Sequence, residues 1–130
     1  MTRDHPLVVV VDDDVSVRRA LVRLLRAASY QVETFASGDA LLAELDTCRA
    51  ACLILDVRMP GLSGLDLPER LKASGRNIPT VFVTGHGDGA MARRALATGA
   101  VRFLYKPFDD EDLLLAVKEC VRQSAGAAAD

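Results

Sequence analysis

Five short apolar runs, each followed by a segment whose apolar residues recur every three or four positions, set the rhythm of this chain. Leu7-Val8-Val9-Val10-Val11 reads as a strand buried on both faces, because an unbroken β-branched run leaves no polar face for water. It stops at Asp12-Asp13-Asp14. Over residues 14–28, Val17, Leu21, Leu24 and Leu25 fall at helical spacing while Arg18, Arg19, Arg23 and Arg26 fill much of the rest, which predicts a helix with one buried stripe and a solvated arginine face. A second strand is expected over residues 31–35. Ser37 is placed to cap a helix carrying Leu41, Leu42 and Leu45. Residues 51–55 form the third buried run, ending at Asp56, and the proline and glycine content of residues 58–64 predicts a loop.

The next helix is expected from about residue 65 to residue 73. Proline costs about 3 kcal/mol in a helix interior but is tolerated in the first turn, so Pro68 predicts that this helix begins late or bends. Residues 79–84 read as the fourth strand, 85–88 as a flexible loop, and 89–98 as a helix closed by Gly99. The fifth strand is expected over 101–105, broken by Lys106-Pro107. A last helix over 110–123 turns Leu113, Leu114, Val117 and Val121 inward. Residues 1–123 then make one domain, and the small, polar residues 124–130 read as a frayed end or the start of a linker. Strands and helices in strict alternation imply an α/β fold with a doubly wound, five-stranded parallel sheet, because parallel strands need right-handed crossovers. In the flavodoxin-like order 2-1-3-4-5 the first and third strands flank the switch point, and ligands bind at their carboxyl ends.

Composition narrows the function. A chain of 130 residues suits a single core. A net charge of −2 lacks the basic excess of a nucleic-acid-binding domain, so no direct nucleic-acid contact is expected of this chain. Cys48, Cys52 and Cys120 are odd in number and without CxxC spacing, which reads as buried thiols in a reducing compartment and hence a cytoplasmic location. The N-terminal apolar run is too short for a membrane span, and no membrane association is expected.

The chemistry gathers at strand ends. With Asp12 and Asp13 ending the first strand and Asp56 the third, three carboxylates converge on one spot, where they must share a proton or hold a cation. Hard oxygen donors favour Mg²⁺, with Mn²⁺ as the alternative. Thr84 ends the fourth strand and Lys106 follows the fifth, adding a hydroxyl donor and a positive charge. These are the parts for phosphoryl transfer onto a carboxylate, with Asp56 as the acceptor and Asp12 and Asp13 as the metal seat. Each residue alone has a plainer reading: Asp12 to Asp14 as acidic residues at a helix N-terminus, Phe103 as a core aromatic, and His5 and His86 as bystanders.

Val-Val-Asp12-Asp13-Asp14, Leu-Ile-Leu-Asp56-Val-Arg-Met-Pro-Gly, Val-Phe-Val-Thr84-Gly and Phe103-Leu-Tyr-Lys106-Pro107-Phe108 together resemble the receiver domains of two-component response regulators, in order and along essentially the whole chain. The Thr84-Gly-His-Gly-Asp88 segment and Gly99-Ala-Val further resemble the FixJ-like transcriptional subgroup. The resemblance implies that Asp56 accepts phosphate from a sensor histidine kinase, and that Asp12, Asp13, Asp56 and the main-chain carbonyl of Arg58 bind Mg²⁺. It also implies that Thr84 and Lys106 contact the phosphoryl group and that Phe103 is the switch aromatic. The responding surface would be formed by the fourth helix, fifth strand and fifth helix, with homodimerisation through it as a hypothesis. A cis Lys106-Pro107 bond is a further implication. Tyr105 and Arg58 stand where the family varies and tunes the lifetime of the phosphorylated state.

Three other functions share some of these features. An aspartate-nucleophile phosphatase of the haloacid-dehalogenase type would use the Asp12-x-Asp14 pattern with Asp12 as nucleophile. The chain is short for that fold and lacks its later acidic metal residues. A flavodoxin would need a phosphate-wrapping first loop, and here that loop is acidic. A pure interaction module would keep the fold without phosphorylation, yet all the acceptor groups are present.

Overall fold

The structure is a computed structural model that describes residues 5–44, 50–57, 67–73, 75, 77–85, 89–97 and 99–129. Strands β1 (Leu7–Val11), β2 (Gln31–Phe35), β3 (Ala50–Asp56), β4 (Thr80–Thr84) and β5 (Arg102–Tyr105) alternate with helices α1 (Val15–Ala27), α2 (Gly38–Ala43), α3 (Leu67–Ala73), α4 (Gly89–Ala97) and α5 (Asp110–Ala129). All strand pairs are parallel, in the order β2-β1-β3-β4-β5, which is the doubly wound arrangement expected.

The strand pleat divides the apolar residues between two helical layers. Val8 and Val10, Cys52 and Ile54, and Val81 and Val83 face Leu21 and Leu25 of α1 and Leu113, Ala116, Val117 and Cys120 of α5. Val9 and Val11, Leu53 and Leu55, and Phe82 face Leu41 of α2, Leu67 and Leu71 of α3, and Ala95 of α4. Burial on both faces explains why β1 and β3 read as continuous apolar runs rather than alternating ones. The edge strand β2 is largely exposed, which its mixed Gln-Val-Glu-Thr-Phe sequence reflects.

Register decides what meets at the carboxyl edge. Leu7 pairs with Ala50 but Val8 pairs with Cys52, so Ala51 is an extra residue in β3 and the ladder slips by one. From there Val11 stands opposite Leu55, so the next residues out, Asp12 and Asp56, are level with each other. On the other side Asp56 is paired with Val83, and Thr84 with Tyr105, which sets Lys106 just beyond Thr84.

Helix ends follow the expected chemistry with one difference. Ser37 caps α2 by accepting from the Ala40 amide at 3.1 Å. Pro68 occupies the second position of α3, where its missing N–H is not needed; residues 65 and 66 lie outside the described residues. Gly99 closes the turn after α4 at φ +92° and donates to the Leu96 carbonyl at 3.0 Å. The difference is α5, which runs on to Ala129 through residues expected as a frayed tail. Alanine is the best helix former and dominates this stretch, but it carries too little apolar surface to register in a periodicity reading. Among the described residues, no helix is long and apolar enough to cross a membrane.

Candidate functional site

Asp12 leaves the end of β1 almost wholly buried, at 1% exposure, and is held on every side. Its amide donates to the Phe35 carbonyl at 3.1 Å, extending the β1–β2 ladder by one bond. Its Oδ1 accepts from the Asp14 amide at 2.9 Å, and its Oδ2 from Lys106 Nζ at 2.8 Å. Asp13, the next residue, is exposed. Asp14 turns its carboxylate elsewhere: Oδ1 accepts from the Ser16 and Val17 amides at 2.8 and 3.3 Å and caps α1. Such a cap satisfies amides that have no partner within the helix.

Asp56, the last residue of β3, is 6% exposed, and its Oδ2 lies 3.3 Å from the same Lys106 ammonium. Carboxylate oxygens of Asp12, Asp13 and Asp56 all fall within 4.8 Å of one another. Thr84, fully buried at the end of β4, accepts the Lys106 amide on its carbonyl at 2.8 Å and so fixes where the lysine starts. The Lys106–Pro107 peptide is cis, as the resemblance implied.

Three carboxylates are thus set against one ammonium. Burial disfavours the Lys106 charge, but the hydrogen bond and field of Asp12, and then those of Asp56, outweigh it and raise the lysine pKa above its ordinary value. One cation does not balance the cluster, and the remaining negative charge, carried on hard oxygen donors, fits a small divalent ion. Arg58, whose carbonyl the resemblance adds to the ligand set, lies outside the described residues, as do His86 and Cys48.

A family profile for the response regulator receiver domain matches residues 8–118. The chain belongs to that family. Receiver domains of FixJ-like transcriptional response regulators are its near relatives. Response regulator protein TmoT of Ectopseudomonas mendocina is 42% identical over 122 residues, covering 94% of this chain and 56% of TmoT. Transcriptional regulatory protein FixJ of Bradyrhizobium diazoefficiens is 40% identical over 127 residues, covering 98% of this chain and 61% of FixJ. A solved structure of response regulator StyR superposes at a TM-score of 0.85 and 44% identity, over 96% of this chain and 63% of StyR. The receiver chain therefore spans between about half and three fifths of the curated relatives it matches.

Within the receiver domain, Asp12, Asp13, Asp56 and Lys106 are brought together, and Thr84 adjoins them through the backbone. Phe103 stands apart, on the α2–α4 side of β5. It is partly buried against that core cluster and edge-on to Tyr105, with ring centroids 5.2 Å apart at 63°. His5 bonds to the Ser29 carbonyl at 2.8 Å, at the opposite end of β1 from the cluster. With Asp14 spent on the cap, the Asp12-x-Asp14 pair of the phosphatase reading is not assembled.

One residue departs from its sequence reading. Arg18, expected on a solvated face, reaches back from α1 to donate from Nη1 to the Asp12 carbonyl at 2.6 Å. Its neighbours Arg19, Arg23 and Arg26 are exposed as expected. Helical spacing could not single it out, because all four arginines share one sequence environment.

Proposed function

We propose that this receiver domain is a phosphorylation-activated switch that takes a phosphoryl group from a sensor histidine kinase onto Asp56 and relays the change to an output, of transcriptional type by analogy with its FixJ-like relatives. The observation that carries the reading is the convergence of Asp12, Asp13 and Asp56 within 4.8 Å, with Lys106 bonded to two of them.

An Asp56 carboxylate oxygen attacks the phosphorus of a phosphohistidine. An O–P bond forms, the P–N bond breaks, and its electron pair stays on the imidazole nitrogen, which takes up a proton from solvent. Lys106, already 3.3 Å from Asp56, is within reach of the charge that grows on the transferred oxygens. Thr84 offers its hydroxyl from the neighbouring strand end. Asp12, Asp13, Asp56 and the Arg58 carbonyl would hold Mg²⁺, or Mn²⁺ in its place. When bound, that ion supplies charge neutralisation at the phosphoryl oxygens. Asp12 and Asp13 keep their carboxylates oriented for it.

The phosphoryl group biases a two-state equilibrium through contacts made in one state only, here with Thr84 and Lys106. Phe103, partly buried on β5, is the aromatic that turns inward in the active state, reshaping the α4–β5–α5 surface. Homodimerisation through that surface belongs to the same reading. The receiver unit covers residues 1–123, the following residues continue α5, and any DNA contact belongs to a part of the output other than this unit.

Incubation with Mg²⁺ and acetyl phosphate, read by intact mass, tests the proposal. A phosphoryl adduct is expected in wild type, absent in Asp56→Asn and absent without Mg²⁺. Retention of the adduct in Asp56→Asn would overturn the assignment of the acceptor.

A further inference from the structure

Asp12 makes four hydrogen bonds, and the fourth is not explained by the fold. The amide continues the β1–β2 ladder, Oδ1 closes the turn to Asp14, and Oδ2 holds Lys106. The carbonyl has left the sheet, since β1 ends at Val11, and a partly buried carbonyl without a partner is costly. Arg18 fills that place at 2.6 Å. The arginine is itself well anchored: its amide donates to the Asp14 carbonyl at 3.0 Å, and α1 is tied to the core by Leu21 and Leu25. Backbone and side chain of one residue therefore clamp both ends of the Asp12-Asp13-Asp14 turn.

We infer that Arg18 is a positioning residue for the acidic cluster: by holding the Asp12 carbonyl it sets the Asp12 and Asp13 carboxylates at cation-binding separation from Asp56. This rests on the reading of that cluster as a metal seat. Groups that orient metal ligands without touching the metal commonly govern affinity.

Charge and position make opposite demands at this site. A guanidinium held on the Asp12 carbonyl brings positive charge that repels an incoming divalent cation, so if Arg18 acted through its field alone, its removal would tighten metal binding. If it acts by holding the turn, its removal loosens the ligands and weakens binding. The sign of one measurement separates the two.

The test is Mn²⁺ titration of the full chain without phosphodonor, following free Mn²⁺ by electron paramagnetic resonance. Arg18→Met, which keeps chain length but loses donor and charge, is expected to bind roughly tenfold more weakly than wild type, and Arg18→Lys, which keeps a donor, within about threefold of it. Arg19→Met, which removes an exposed arginine from the same helix, is expected to match wild type. Circular dichroism establishes that each variant is folded, and Arg18→Gln, with the same expected sign, replaces Arg18→Met if that variant does not fold. Equal or tighter binding by the neutral Arg18 variants overturns the inference, and so does an equal loss in Arg19→Met. If wild type itself binds no Mn²⁺, or Asp12→Asn binds as well as wild type, the metal-seat reading beneath it fails first and takes the inference with it.

Discussion

Lys106 Nζ lies 2.8 Å from Asp12 Oδ2, a bond across 94 positions of sequence that ties the ends of β1 and β5 together over the intervening β3 and β4. The same ammonium reaches Asp56, so the cluster has a built-in but incomplete counterion.

Replacing Lys106 with methionine leaves three carboxylates facing one another without it. Stability of the metal-free protein is expected to fall by about 1–3 kcal/mol, the cost of stranding a buried charged partner that stays in contact with some water. Saturating Mg²⁺ should recover part of that loss by supplying the missing charge. Urea unfolding with and without Mg²⁺ measures both, and a loss of the same size in the two conditions would mean that Lys106 acts by packing rather than charge.

The Asp14 carboxylate caps α1. Asp14→Ala should cost about 1 kcal/mol of stability, because the Ser16 and Val17 amides lose their acceptor. Phosphoryl uptake from acetyl phosphate should stay at the wild-type rate at temperatures where the variant is folded. A large drop in that rate would give Asp14 a part in the chemistry.

Thr84→Val keeps a buried side chain of similar shape and removes its hydroxyl. Asp56 should still be phosphorylated, but the phosphorylated form loses one charge-assisted hydrogen bond worth about 1.5–3 kcal/mol. The ratio of active to inactive conformers should then fall by roughly tenfold or more, since each 1.4 kcal/mol is a factor of ten. Amide hydrogen exchange across β5, before and after phosphorylation, reads the change, and a wild-type response in the variant would remove Thr84 from the switch.

Burial lifts the Cys52 thiol well above its ordinary pKa of 9.0, and the hydrogen bond to the neighbouring Cys120 thiol adds to the effect. The folded state thus holds a proton that the unfolded chain releases above about pH 9, so this contribution is complete below that pH and is lost as pH rises beyond it. Alkaline unfolding monitored by circular dichroism should show the decline, which should be smaller in Cys52→Ala once compared with its own neutral-pH stability. In the native protein at neutral pH, peptide mapping should find Cys52 and Cys120 resistant to alkylation, since both are fully buried.

Much of the fold was legible because its elements are locally encoded. The unbroken valine run of β1, the arginine-and-leucine pattern of α1 and the glycine after α4 each report a neighbourhood of a few residues, and each appears where its pattern placed it. The end of α5 is not legible in this way, because alanine favours a helix by what it lacks, and periodicity reports only side chains with apolar bulk.

The sequence by itself determined which side chains stand at strand ends: Asp12, Asp13, Asp56, Thr84 and Lys106 follow or finish apolar runs whatever the strand order. Tertiary structure alone decided how they meet. The extra residue at Ala51 sets Asp12 level with Asp56, and one hydrogen bond sends Arg18, rather than its neighbours, to the Asp12 carbonyl. Of three consecutive aspartates, packing sends one into the cluster's buried side, leaves one exposed at its edge and turns the third to cap a helix. Identical side chains in one short run look alike to any local rule; they are told apart by what lies beside them across the sheet, and those neighbours come from residues tens of positions away.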